Sequence, residues 1–206
     1  MAKVKAVSGK YSVHPGVAMM QKWIRELPEK TGRSLEEWIA LVKKSGPKTE
    51  KDRREWLKKE HALGTNSAMF IAERAEGKGT EDDTPEGYLR AAEEWVEAMF
   101  AGKRAGLRPL YDELLWIALK MGAKASPGKT AVSLYRNHVF ANLKPSTNSR
   151  VDVGLALGNM KTPKRLIDTG GHEKKDRITR RIEVKTKADI DDELKKWMKK
   201  AWEEDE

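Results

Sequence analysis

The chain has no cysteine, so disulfide bridging and thiolate chemistry are excluded. It has only four histidines, His14, His61, His138 and His172, and no two stand at a spacing that suits a transition metal. No apolar run approaches the ~20 residues that a membrane-spanning helix needs. The first ten residues are basic but lack the apolar core of a secretory signal. Internal repeats and long low-complexity tracts are also missing. Ser126-Pro-Gly-Lys-Thr130 has no Gly-x4-Gly-Lys frame and precedes a strand pattern, whereas a phosphate loop opens a helix. These absences point to a soluble cytoplasmic protein that neither spans a membrane nor carries a cofactor. No nucleophile, base and carboxylate stand at a spacing that marks a catalytic site.

Charge is abundant and unevenly placed. Of 206 residues 35% are charged and 38% hydrophobic, yet seven tryptophans can anchor small cores. The formal net charge is +9. Residues 1–80 hold 17 basic and 10 acidic residues, 81–106 hold 3 and 7, and 107–206 hold 21 and 15. Two basic blocks therefore flank an acidic one. Excess positive charge favours polyanions through counterion release. Many of the lysines also have a helical Glu or Asp neighbour, so part of the charge belongs to a salt-bridged surface.

The fold class read from these patterns is α+β, an N-terminal helical bundle followed by a mainly antiparallel four-stranded sheet with helices on one face. Pro15 opens a helix to about Lys30, and Ser34-Leu-Glu-Glu37 is a capping box for a second. Thr49 and Thr65 are expected caps for a third helix, ended by Gly64, and a short fourth. Residues 76–84 read as a linker, giving a helical domain over 1–80 and an α+β domain over 81–206. A helix over 107–121 is apolar nearly all round, which predicts burial on several sides, Trp116 included. Strands are expected near 131–136, 139–144, 151–157 and 178–185. A short helix is expected from Pro163 through Ile167, and a last helix from Thr186. Glu203–Glu206 reads as a solvated tail.

Period two puts Val151, Val153 and Leu155 on one face of the sheet and Arg150, Asp152 and Gly154 on the other. The face away from the core can then display Tyr135, Arg150, Asp152 and Arg181, with Phe140 or Asn142 according to register. Arginine with an aromatic ring on a sheet can stack and neutralise nucleotides. The same residues can equally form cross-strand ion pairs on a solvated face. Gly154 inside a strand marks a close approach, by a ligand or by a packed neighbour such as the Trp116 helix. Trp56–Ala75 can be tested as a helix-turn-helix with Asn66 and Ser67 at the front of its second helix, although Glu60 falls where that motif wants a small buried residue.

The motifs resemble a known pairing of domains. Tyr11-Ser-Val-His14, Thr31-Gly-Arg-Ser-Leu-Glu-Glu-Trp38 and Trp56-Leu-Lys-Lys-Glu-His-Ala-Leu-Gly64 look like a helical bacterial domain of unknown function, with Ala62 where relatives commonly have Gly. Leu107-Arg-Pro-Leu-Tyr111, Lys129-Thr-Ala-Val-Ser-Leu134, Phe140-Ala and Arg150-Val-Asp-Val-Gly-Leu155 look like a second uncharacterised domain. That second domain commonly follows the first. Similar ones are loosely labelled "predicted transport protein" or sit beside restriction-type modules. The resemblance implies this architecture and no catalytic residues.

The expected function is non-catalytic binding, with DNA or RNA as the partner class, weak and salt-sensitive. An alternative is a nucleotide-like small-molecule or enzymatic domain with a pocket at the sheet or the domain junction. A third is a protein-interaction module built on exposed tryptophan.

Overall fold

The computed structural model describes residues 9–160 and 163–205, so the basic stretch at the start of the chain lies outside the described residues. Two compact units emerge. One is Val13–Ala91; the other joins the residues up to Ser12 to those from Ala92 onward. The division falls at Ala91/Ala92, where composition alone had suggested 80/81.

The first unit is helical, with α1 (Pro15–Thr31), α2 (Leu35–Ser45), α3 (Glu50–Glu60) and α4 (Thr65–Ala75). Local chemistry fixes their ends. At α1, His14 Nδ1 accepts the Gly16 N–H at 2.9 Å. At α2, the Glu37 N–H donates to Ser34 Oγ at 3.2 Å while the Ser34 N–H donates to Glu37 Oε2 at 2.8 Å, so the capping box is complete. Thr49 caps α3 through the Asp52 N–H. Two boundaries differ from expectation. Helix α3 stops at Glu60, because Ala62 takes a positive φ of 54° and breaks the ladder before Gly64. Gly64 holds the cap position of α4 without a side-chain bond, and Thr65 is already helical. The core comprises Leu27, Leu35, Trp38, Val42, Leu57, Leu63, Phe70 and Ile71 with small residues of α4. Helix α5 (Pro85–Met99) runs across the division between the units.

The second unit carries a six-stranded antiparallel sheet, two strands more than expected. Its strands are β1 (Lys124–Pro127), β2 (Val132–Tyr135), β3 (Val139–Lys144), β4 (Val151–Leu155), β5 (Ile167–Asp168) and β6 (Arg180–Val184). Their order is β1-β2-β3-β4-β6-β5. Helix α6 (Arg108–Lys120) and helix α7 (Asp192–Glu203) share one core with Leu134, Ala141, Leu143, Val153, Leu155, Ile182 and Val184. The helices thus cover one sheet face and leave the other free of helices. The helix expected over 163–167 is absent; turns lead there into β5.

Helix α6 is not buried all round. Leu110, Tyr111, Leu114, Leu115 and Ala118 form its buried stripe, while Trp116 is 56% exposed. At 3.6 residues per turn that stripe turns Trp116 outward, where the Lys120 ammonium lies 4.0 Å from its ring centroid. Thr186 caps only a short 3-10 turn, and Asp191 caps α7. The expected solvated tail is corrected at Asp205 alone; Glu203 and Glu204 are exposed, and Glu206 lies outside the described residues. Asp205 is 3% exposed, and its carboxylate accepts the Asn137 and His138 N–H groups at 3.1 and 2.7 Å and Arg177 Nη2 at 2.6 Å. It pins the β2–β3 hairpin turn. Among the described residues no helix is long and apolar enough to cross a membrane.

Candidate functional site

The open face of the sheet is built by the register of β3, β4 and β6. One cross-strand row is Lys144, Asp152 and Glu183; the next is Asn142, Gly154 and Arg181. All six belong to the same face by period two. Phe140 is buried in the core and Asn142 is the outward residue, which resolves the register left open by the sequence.

Arg150, Asp152, Arg181 and Glu183 form one ionic network. Arg181 Nη1 donates to Asp152 Oδ2 at 3.1 Å and to Glu183 Oε1 at 2.9 Å. Arg150 Nη1 lies 2.7 Å from Glu183 Oε1, and Arg150 Nε 2.9 Å from Asp152 Oδ1. The second of these contacts is ionic but poorly aligned, so both buried atoms lack a hydrogen bond. Lys185 reaches Glu183 Oε2 at 3.3 Å. Burial pushes the Glu183 carboxyl up, but hydrogen bonds from Arg181 and Lys185 and the field of Arg150 outweigh it and hold the group below its ordinary value. The cross-strand pairing raised from the sequence is therefore present. Glu183, which shares this face with Arg181 by period two, is the hub that links both arginines.

The loop between β5 and β6 folds back over the open face. Thr169 Oγ1 donates to the Ile178 carbonyl at 2.8 Å and accepts the Gly171 N–H at 3.2 Å. Asp176 donates its N–H to the Gly171 carbonyl and accepts that of Ile178. Gly154 and Gly171 permit this approach. A Cβ on Gly154 would sit 2.3 Å from Asn142 Oδ1 and 2.7 Å from Ile178 Cγ2, and one on Gly171 would sit 2.2 Å from the Ile178 carbonyl oxygen. The close neighbours of Gly154 are thus Asn142 and this loop on the open face, not the Trp116 helix on the other.

Two open clefts result. The first, about 240 Å³, is lined by Asn142, Lys144, Ser146, Asp152, Gly154, Thr169, Lys174, Asp176 and Arg181 among others. The second, about 340 Å³, is lined by Ala98, Met99, Arg104, Lys129, Thr130, Lys144, Pro145 and Ser146. Lys144 and Ser146 belong to both, so the β3–β4 turn is a ridge between adjoining depressions. Among the described residues Arg104, Lys144 and Lys174 make no ion pair, unlike Arg150 and Arg181. The sequence reading missed these three. Lys144 alone had a legible signal, as the polar end of a strand whose parity faces outward.

The remaining candidates are not brought together with this network. Tyr135 sits half-buried on β2, opposite Lys124 and Val139, and lines neither cleft. Burial pushes its phenol up, against the pull of a hydrogen bond with Ser133. Asn66 and Ser67 stand in the first turn of α4, in the helical unit, with Asn66 exposed and Ser67 half-buried. The rest of α4 is largely buried, through Ala68, Phe70, Ile71, Ala72, Arg74 and Ala75, which leaves little of it to enter a groove. His61 packs edge-on against Trp38 and Trp56, with ring centroids 5.2 and 4.4 Å away.

The sheet thus has one helix-covered face and one polar face with two adjoining clefts. The chain belongs to the family described as Domain of unknown function (DUF5655), which it matches over residues 96–205, more than half its length. Residues 19–77 match a second, Domain of unknown function (DUF4287), so the chain joins two distinct domains. No curated protein matches the chain, and no solved structure does.

Proposed function

We propose that this is a non-catalytic, cytoplasmic binding protein that takes nucleic acid on the open sheet face, weakly and in a salt-sensitive way. The observation that carries the reading is the pair of adjoining clefts lined by Arg104, Lys144 and Lys174, which make no ion pair among the described residues. A cation that already neutralises a carboxylate gains little from a phosphate; a free one releases counterions when it meets one. Arg150 and Arg181 hold the sheet face together and leave the phosphate contacts to these residues. Among the described residues the carboxylates on the first cleft are Asp152 and Asp176, engaged by Arg181 and by the Ile178 N–H.

The test is binding of single-stranded and duplex oligonucleotides at ~50 and ~200 mM salt. Three phosphate contacts give a slope of log affinity against log salt of about −2 to −3. Replacing Arg104, Lys144 and Lys174 together by Ala flattens that slope by about 2 and lowers affinity at least tenfold at the lower salt. Absence of binding at low salt contradicts the proposal.

A second reading rests on the folded-back loop, which walls the first cleft with Thr169, Gly171 and Asp176. That wall suits a nucleotide-like small anion held against Lys144 and Lys174. Stabilisation by mononucleotides in a thermal melt, without oligonucleotide binding, favours this reading over the first.

A further inference from the structure

Resting on the nucleic-acid reading, we propose that the first cleft takes the terminal nucleotide of a strand, so that the protein prefers free strand ends to uninterrupted chain. The terminal nucleotide lies between the β3–β4 turn and the β5–β6 loop, and its link to the next nucleotide crosses the Lys144–Ser146 ridge. The register sets the direction of this cleft. Lys144 pairs with Asp152 near the start of β4, and Asn142 with Gly154 near its end. The cleft therefore runs along the strands, from Ser146 in the turn to Thr169, Gly171, Asp176 and Ile178 of the loop.

Its two ends differ. At the turn, Lys144 and Ser146 also line the second cleft, so a backbone leaving there enters a further recess that holds Arg104. At the loop, the Ile178 side chain lies against Gly154 and the Ile178 carbonyl against Gly171, while the Thr169 N–H donates to the Thr179 carbonyl at 3.1 Å. Packed backbone closes that end. A terminal nucleotide needs one way out of the cleft; an interior one needs two. The polar groups suit this occupant. Among the described residues the Asn142 amide and the Ser146 hydroxyl make no hydrogen bond, and both line the cleft, where base or sugar edges can meet them. One Asp176 oxygen accepts the Ile178 N–H, which leaves the other to accept a hydroxyl of the terminal sugar. Lys174 lines this cleft and not the second, whereas Arg104 lines the second and not this one. A strand that passes over the ridge without entering the first cleft meets Arg104 and Lys144 and forgoes Lys174.

The experiment compares a linear single strand, with a hydroxyl at both ends, against the same strand closed into a circle. Affinity is measured across a salt series for the wild type, Lys174→Ala and Arg104→Ala. Both replaced side chains stand at the surface of open clefts. The wild type should bind the linear strand at least tenfold more tightly than the circle. Its salt slope should be steeper on the linear strand by about 0.7, the share of one phosphate contact on a single strand. Lys174→Ala should lose about three- to tenfold on the linear strand and nothing on the circle. Arg104→Ala should weaken both alike. Equal wild-type affinity for line and circle overturns this inference and leaves nucleic-acid binding intact, as does an equal loss on both from Lys174→Ala. No binding of either at low salt overturns both.

Discussion

Arg150 has 23% of its side chain exposed and bridges Asp152 and Glu183, which makes it a structural cation. Arg150→Ala should cost about 1–3 kcal/mol, because Arg181 still satisfies both carboxylates. That is less than the ~3–5 kcal/mol of a buried charge left unpaired. Oligonucleotide affinity should stay within a few-fold, and one denaturant titration with one binding curve checks both. Ala62 makes a second prediction. Its φ of 54° lies in the left-handed region, which costs a non-glycine residue roughly 1–2 kcal/mol. Ala62→Gly should therefore raise the stability of the helical unit by about 1 kcal/mol, after the added freedom of the unfolded chain is counted. Loss of stability in a thermal melt contradicts it. Side-chain parity made the open face legible, since Arg150, Asp152 and Arg181 do meet there. The role of Asp205 was not legible. An acid in a charged tail looks solvated until the fold places the Asn137–His138 turn beside it.

The starts of α1, α2 and α3 were readable, because their capping chemistry is local. Ser34 and Glu37 lie three residues apart and bond each other reciprocally, so Ser34→Ala should cost about 1 kcal/mol. A thermal melt of the variant tests this, and an unchanged midpoint contradicts it. Strands β2, β3, β4 and β6 were readable from alternation. Strand β5 was not, since two residues carry no period and exist as a strand only because β6 offers an edge. Strand β1 was hidden because Lys124-Ala-Ser-Pro127 lacks branched or aromatic residues; it forms by pairing along β2. The clefts depend on the β5–β6 loop, whose return over the sheet follows from long-range pairing that local pattern does not encode. Its two glycines differ in kind. Gly154→Ala meets the ends of two side chains, of which Asn142 can swing away, whereas Gly171→Ala meets the backbone oxygen of Ile178. Gly171→Ala should be the more destabilising of the two, by denaturant titration of both variants; the reverse order contradicts the loop's role.

At the scale of the whole molecule, acid should weaken the sheet unit. Asp112 and Glu183 feel burial that raises them, but Lys10 with Arg108, and Arg181 with Lys185, outweigh it. Asp189 and Asp191 are lowered mainly by the N–H groups of Lys185 and Leu194. All four are held below their ordinary values, so their stabilisation is complete above the unfolded values near 4 and is lost as pH falls through the folded ones. Stability should be flat from about pH 7 to 5 and fall below ~4. The joined domains, the antiparallel sheet and the excess of basic residues all had sequence signals. The free cations among them did not, because ion pairing is settled by three-dimensional neighbours. Those cations carry the functional claim, and the salt dependence of oligonucleotide binding tests it most directly. The account predicts measurable binding at ~50 mM salt, a slope of about −2 to −3, and a flatter slope when Arg104, Lys144 and Lys174 are removed together. Binding absent at low salt, or a slope that ignores those three residues, would contradict it.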